Sequence, residues 1–290
     1  MSLSRARTEP VTARRHTLYF LEYAAAQRPV YLDTEVDMTA VTAHRAKGSE
    51  TTGTRRYSLV GYLLLATGQV LARHPEANAV VAPGWPSRFR APRITYFEGV
   101  TGKLALDRPV DGQRTVLSAL LPGLDRTDLA GIQDRIDRYR GPDAAGLPEF
   151  DALRKLGRLP APLGRLAFAA ALRDPARRAR ILGTVSVSSL GHRPVDAFHS
   201  AGGTALTVCA GRVTDRPVVR AGAVAVAPVM RLSLSFDHRV VDGATAADVL
   251  GDLKQTLEEF DGGSGDGNGG AVRGADQDHR TRRTVAARRQ

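Results

Sequence analysis

The chain has 290 residues, 42% hydrophobic and 24% charged, with a formal net charge of +11, enough for one sizeable core with tails. A single cysteine, Cys209, excludes an intramolecular disulfide and a cysteine metal cluster, and no metal site is expected; no apolar run approaches the ~20 residues needed to span a bilayer. The positive charge is nearly all arginine, with Lys47, Lys103, Lys155 and Lys254 the only lysines. A basic balance suits nucleic acid, an acidic partner or an anionic cofactor, but there is no nucleic-acid motif and no basic run interleaved with aromatic residues.

Residues 1–13 are polar and irregular and read as a loose arm. Arg14-Arg15 precede an apolar run, Leu18 to Ala26, that faintly resembles a twin-arginine signal, but Glu22 interrupts it and no small-residue cleavage site follows. The run reads better as an amphipathic first helix with Leu18, Leu21 and Ala25 on its inner side, and a soluble cytoplasmic protein is expected. Val30 to Met38 alternates as a strand, with Val30, Leu32, Thr34, Val36 and Met38 on one face. Thr39 then caps a short helix through Lys47, and Gly48 to Arg56 is a polar loop. Leu59 to Arg73 predicts a strongly apolar helix ended by His74-Pro75, where the histidine suits the helix dipole. The prolines around Trp85 mark a loop.

Val110-Asp-Gly112 predicts a turn before a strand from Thr115 to Leu121. A helix starting at Asp125 or Thr127 runs to about Arg140, with Leu129, Ile132 and Ile136 inward and aspartates and arginines on a solvated face. Between Gly141 and Leu182 two helices are expected, Glu149 to Leu156 and Leu163 to Ile181, split by Leu159-Pro-Ala-Pro162. The basic end of the second, Arg173, Arg177, Arg178 and Arg180, is either a solvated surface or a rebuilt wall of a substrate channel. A strand ends in Ser188-Ser-Leu-Gly191, and Cys209 lies in a strand-like run as buried packing. Gly211 to Val226 reads as a hairpin turning at Arg220-Ala-Gly222. From Asp261 onward glycine, aspartate and arginine dominate without an apolar period, which predicts a disordered basic tail.

The most informative stretch is Met230 to Ala244. Leu232, Leu234 and Phe236 alternate with Ser233, Ser235 and Asp237, the period of a strand with one buried face. His238 falls where that strand runs out. Gly243 marks a turn, and Ala247, Leu250, Leu253, Leu257 and Phe260 repeat at helical spacing. One histidine is thus held at a strand end, with a carboxylate, Asp242, four residues on at the mouth of a helix. From spacing alone Asp242 is as readily an N-cap, worth roughly 1 kcal/mol, and His238 a satisfied loop histidine.

Phe236-Asp-His-Arg-Val-Val-Asp-Gly-Ala244 resembles the His-x-x-x-Asp-Gly signature of the catalytic domain of the dihydrolipoyl acyltransferases of 2-oxoacid dehydrogenase complexes, whose shorter core chloramphenicol acetyltransferase shares. Gly183 to Gly191 resembles the second signature of that family, and Glu35-Val-Asp37 and His74-Pro-Glu-Ala-Asn78 resemble earlier segments. The histidine that usually follows a proline near the first strand is missing at Pro29-Val30. The resemblance runs from about Arg14 to Phe260. It implies a chloramphenicol acetyltransferase-like α/β sandwich, a mixed sheet against helices in a catalytic domain over residues 14–260, in a homotrimer with active sites between subunits.

The resemblance also implies the chemistry. His238 would be the general base, Ser188 the hydroxyl facing the reacting carbonyl, and Asp242 would hold the loop through an arginine near the N-terminus, Arg14 or Arg15. None of the four lysines follows an aspartate as a lipoyl lysine does, so coenzyme A is the expected acyl carrier, as acetyl-CoA with no covalently bound lipoyl. The acceptor would be a small molecule or one released from a carrier. The arginine-rich form with a long 141–182 segment looks like the acyltransferase-like proteins of tetronate polyketide pathways, which acetylate a primary hydroxyl on the ring. Two other readings stay open: a lipoyl-dependent acyltransferase served by a lipoyl domain on another chain, and a trimeric scaffold without activity.

Overall fold

The computed structural model describes residues 14–50, 55–82, 91–110, 113–141 and 146–261. The expected N-terminal arm, the loop around Trp85 and nearly all of the basic tail lie outside the described residues. In chain order the elements are α1 (Arg15–Ala24), β1 (Pro29–Asp37), α2 (Thr39–Glu50), α3 (Leu59–Arg73), β2 (Ala79–Ala82), β3 (Arg93–Tyr96), β4 (Thr101–Val110) and β5 (Gln113–Pro122). They continue with α4 (Leu129–Arg140), α5 (Asp151–Arg158), α6 (Ala161–Ala171), α7 (Pro175–Leu182), β6 (Val185–Ser189), β7 (Leu206–Arg220), β8 (Ala223–Asp237) and α8 (Gly243–Glu258). Six strands form one sheet in the order β1-β8-β7-β6-β4-β5, and β2 and β3 form a separate pair. The large sheet is mixed, as expected: β6 runs parallel to β4 and β7, and every other pairing is antiparallel.

The sheet has one apolar and one polar face, and the alternation in the sequence dictates both. Leu104, Val185, Val187, Leu206, Val208, Leu232, Leu234 and Phe236 point into the main core, where α3 and α8 supply Leu64, Val70, Val249, Leu253 and Leu257. Each such side chain, fully buried, contributes roughly 1.5–3 kcal/mol, so the packed face dominates the stability. The intervening residues, Lys103, Ser186, Ser188, Thr207, Cys209, Ser233, Ser235, Asp237, Tyr31 and Asp33, are paired neighbours on the opposite face. That second face is partly covered by α1, whose Phe20 ring lies 4.5 Å from the Lys103 amine, and by the segment from Leu190 to Ala205.

Several local expectations change. The inner side of α1 is Tyr19 and Ala24; Leu18 and Leu21 are about half exposed, because Tyr19 packs on Phe168 of α6. Asp37, not Thr39, caps α2, its carboxylate accepting the Thr39 N–H at 3.0 Å. The long helix expected to end at Ile181 is two, since Asp174 caps α7 and Pro175 stands in its first turn, where its missing N–H costs nothing. β4 has no counterpart among the expected strands. α8 buries Ala246 and Val249 rather than Ala247. The hairpin turn at Ala221-Gly222 and the span of α3 are as expected.

Candidate active site

The end of β8 is tied to Arg28, just ahead of β1, by two hydrogen bonds. His238 N–H donates to the Arg28 carbonyl at 2.9 Å, and Arg28 N–H donates to the Asp237 carboxylate at 3.2 Å. Asp237 also receives two guanidinium nitrogens of Arg239, at 2.9 and 2.6 Å, and its own carbonyl accepts from Val240 and Val241. Burial pushes the Asp237 carboxyl up, but the hydrogen bonds from Arg239 and Arg28 outweigh it and hold it below the usual carboxylate range. The loop that carries His238 is therefore rigid at the backbone while its side chain is 48% exposed.

Asp242 stands at the N-cap of α8 with extended backbone, yet its side chain makes no capping hydrogen bond. Its carboxylate lies 3.8 Å from His238 Nδ1, an ion-pair distance too long for a hydrogen bond. Of the two arginines expected to hold it, Arg15 instead donates to the carbonyls of Gly157 and Leu159 at 3.4 and 3.0 Å, so it ties α1 to the link between α5 and α6.

Ser188 sits near the end of β6, half-buried, on the polar face. Among the described residues its hydroxyl has no hydrogen-bond partner. The register fixes its distance from His238. Ser188 is level with Cys209, and Cys209 with Ser233, which precedes His238 by five residues on β8. At ~3.3 Å per residue and ~4.8 Å per strand the two are roughly 19 Å apart. Within one chain they do not meet.

Two charged groups of this face were invisible in the sequence. Lys103 is buried, donates to the Gly202 carbonyl, and has no acid beside it among the described residues; burial and the neighbouring Arg178 bring its amine down to about 7. Asp33 accepts from Ser233 and lies 3.2 Å from His199 Nε2. Cys209 is buried packing as expected, its thiol pushed up to about 12 by burial, which leaves no reactive thiolate. No group of three or more metal-ligating side chains occurs among the described residues, and none of their helices is long and apolar enough to cross a membrane.

Residues 182–262 match the family model for the 2-oxoacid dehydrogenases acyltransferase catalytic domain. A 49-residue stretch is 49% identical to the dihydrolipoyllysine-residue acetyltransferase component of the Bacillus subtilis pyruvate dehydrogenase complex, and covers 17% of this chain and 11% of that protein. The chain thus spans about a tenth of the curated relatives it matches. The likeness in fold is far wider. A probable dihydrolipoamide acetyltransferase from Listeria monocytogenes superposes with a TM-score of 0.66 at 17% identity, over 90% of this chain and 97% of that one. An Azotobacter vinelandii dihydrolipoamide acetyltransferase superposes at 0.61 and 20% identity, over 88% and 92%. Its catalytic mechanism was investigated at one serine, one histidine and an asparagine four residues beyond the histidine.

Proposed function

We propose that the protein is an acyltransferase that moves an acetyl group from acetyl-CoA to a hydroxyl of a small molecule, with a hydroxymethyl tetronate as the acceptor. The observation that carries the reading is the 182–262 match, because that one segment holds Ser188, His238 and Asp242 together. In the Azotobacter relative the investigated serine precedes the histidine by about fifty residues, close to the spacing of Ser188 and His238 here.

The geometry supports a division of labour. His238 is half exposed on a fixed backbone, and a neutral imidazole is suited to take a proton from an attacking hydroxyl or thiol near neutral pH. Attack on a thioester leaves negative charge on oxygen, and the unpartnered Ser188 hydroxyl is available to donate to it; losing one such donor typically costs ~100-fold or more. Asp242 stands at the helix mouth 3.8 Å from Nδ1, close enough to act on His238 through its charge. Since Ser188 and His238 lie roughly 19 Å apart in one chain, the site is assembled between two copies, in a homotrimer. Arg28, whose guanidinium meets only the Ala26 and Gln27 carbonyls among the described residues, is a candidate partner for a coenzyme A phosphate.

The names of the curated relatives favour a second reading, in which dihydrolipoamide is the thiol partner. In that reading the lipoyl group is carried elsewhere than on the four lysines, which lie in α2, β4, α5 and α8. Mass spectrometry of products from acetyl-CoA with the tetronate, and in parallel with free dihydrolipoamide, separates the readings. An acetate ester and free coenzyme A are expected. Acetylation of dihydrolipoamide alone would favour the second reading, and no transfer with no acetyl-CoA binding would favour a scaffold.

A further inference from the structure

The row of the sheet that carries Ser188 ends in a histidine–carboxylate pair. Ser188, Cys209, Ser233 and Asp33 are consecutive neighbours across β6, β7, β8 and β1, all on the polar face. Asp33 accepts a hydrogen bond from Ser233 and holds His199 Nε2 at 3.2 Å. The Tyr31 ring flanks the imidazole at 4.8 Å between centroids. His199 arrives from the segment that crosses this row, where the backbone N–H of the next residue, Ser200, faces the Cys209 sulfur. With ~4.8 Å between strands, the Ser188–Asp33 span is about 14 Å and His199 lies inside it, within the length of a small organic molecule. Both side chains of the pair are open to solvent, 34% for His199 and 42% for Asp33.

An ionised Asp33 selects the imidazole tautomer that carries its proton on Nε2, so Nδ1 presents a lone pair. That lone pair suits a donor group on a ligand, and the half-exposed face of Tyr31 beside it suits a flat ring. We infer that Asp33, His199 and Tyr31 form the acceptor-binding station of the site: His199 Nδ1 accepts a hydrogen bond from a hydroxyl of a planar small-molecule acceptor lying against Tyr31. Asp33 acts through the histidine as a positioning residue. This rests on the acyltransferase reading above for its acceptor class, and it assigns the acceptor end of the row to this chain's own strands.

The alternative role for the pair is a latch that holds the 190–205 segment on the sheet, and the substitutions separate the two. Gln at position 199 keeps an N–H near the position of Nε2 for Asp33 but presents no lone pair where Nδ1 was. His199→Gln and His199→Ala are therefore both expected to raise KM for hydroxymethyl tetronate about 10-fold, with KM for acetyl-CoA and the thermal midpoint unchanged; a latch would be restored by Gln. Direct calorimetric titration of the tetronate into the wild-type and His199→Gln proteins gives a readout without turnover, with the same weakening expected. Equal affinity in the two proteins, restoration by Gln, or no saturable binding to the wild type overturns the station. Acetyl-CoA titrated into the same samples judges the acyltransferase reading separately.

Discussion

At the residue scale, His238 owes its placement to groups that do not touch its ring. The Arg28 carbonyl and the Asp237 carboxylate hold the backbone on either side, and the imidazole fills no core position. His238→Ala is therefore expected to abolish acyl transfer while shifting the thermal midpoint by no more than a surface substitution does, about 0.5 kcal/mol of stability. Near-normal single-turnover transfer would remove it from the mechanism. Ser188 should meet charge that exists only in the transition state, so Ser188→Ala lowers kcat about 100-fold with KM for acetyl-CoA nearly constant. A raised KM at constant kcat would make it a binding residue instead. Lys103 carries a different expectation. The folded amine releases its proton near pH 7 and the unfolded one near 10.5, so between those values the unfolded chain binds more protons. Stability then rises with pH across that window, by a few kcal/mol at most, and the cost of burying the charge is felt in full below it. Urea unfolding at pH 6 and pH 9 should show this slope in the wild type and a flatter one in Lys103→Met; identical slopes would mean that the amine is solvated. The three residues proposed to carry chemistry stand out in the sequence because two short signatures hold them. Asp33 and His199 were not, since the fold joins positions far apart in the chain, and no local pattern announces a lysine inside an alternating strand.

At the scale of elements, alternation identified β1 and β8, and α3 was legible as a long apolar run, which the fold buries nearly all round. α1 escaped that logic: its aromatic residues, not its leucines, face inward, and Tyr19 rests on Gly164 of α6 where a side chain would not fit. β4 escaped it because Lys103 occupies a buried position where the pattern demands an apolar or neutral residue. The division between α6 and α7 follows from Asp174 and Pro175, a start signal inside an apolar and basic run that otherwise reads as one helix. Gly211 shows how tightly the 190–205 segment lies on β7. An added methyl group there would fall on the Asp196 carbonyl. Gly211→Ala should thus cost about 1–3 kcal/mol of stability, the usual range for overpacking. Denaturant unfolding measures it, and an unchanged midpoint would mean that the segment lifts away freely.

At the scale of the whole molecule, the proposed roles of Ser188 and His238, set against their separation in one chain, require activity to be a property of an assembly. Inactive His238→Ala and Ser188→Ala proteins, mixed and allowed to exchange subunits, should regain a fraction of wild-type transfer, because some boundaries then carry both native residues. No recovery, or a monomer by light scattering, would refute the shared site. Acetyl-CoA binding should weaken as salt rises, since phosphate contacts to arginine are screened; affinity unchanged between low and high salt would argue against such contacts. The pairing of β1 with β8 has a consequence in time. Asp33 and Ser233 touch across 200 residues of chain. A ribosome adding ~5–20 residues per second needs roughly 10–40 s to supply that partner. Throughout that interval β1 emerges without the strand it pairs with, and the His238 clasp has only its Arg28 half. The six-stranded sheet therefore cannot be completed before β8 has been made, and a translation pause before β8 prolongs the interval in which β1 stands unpaired.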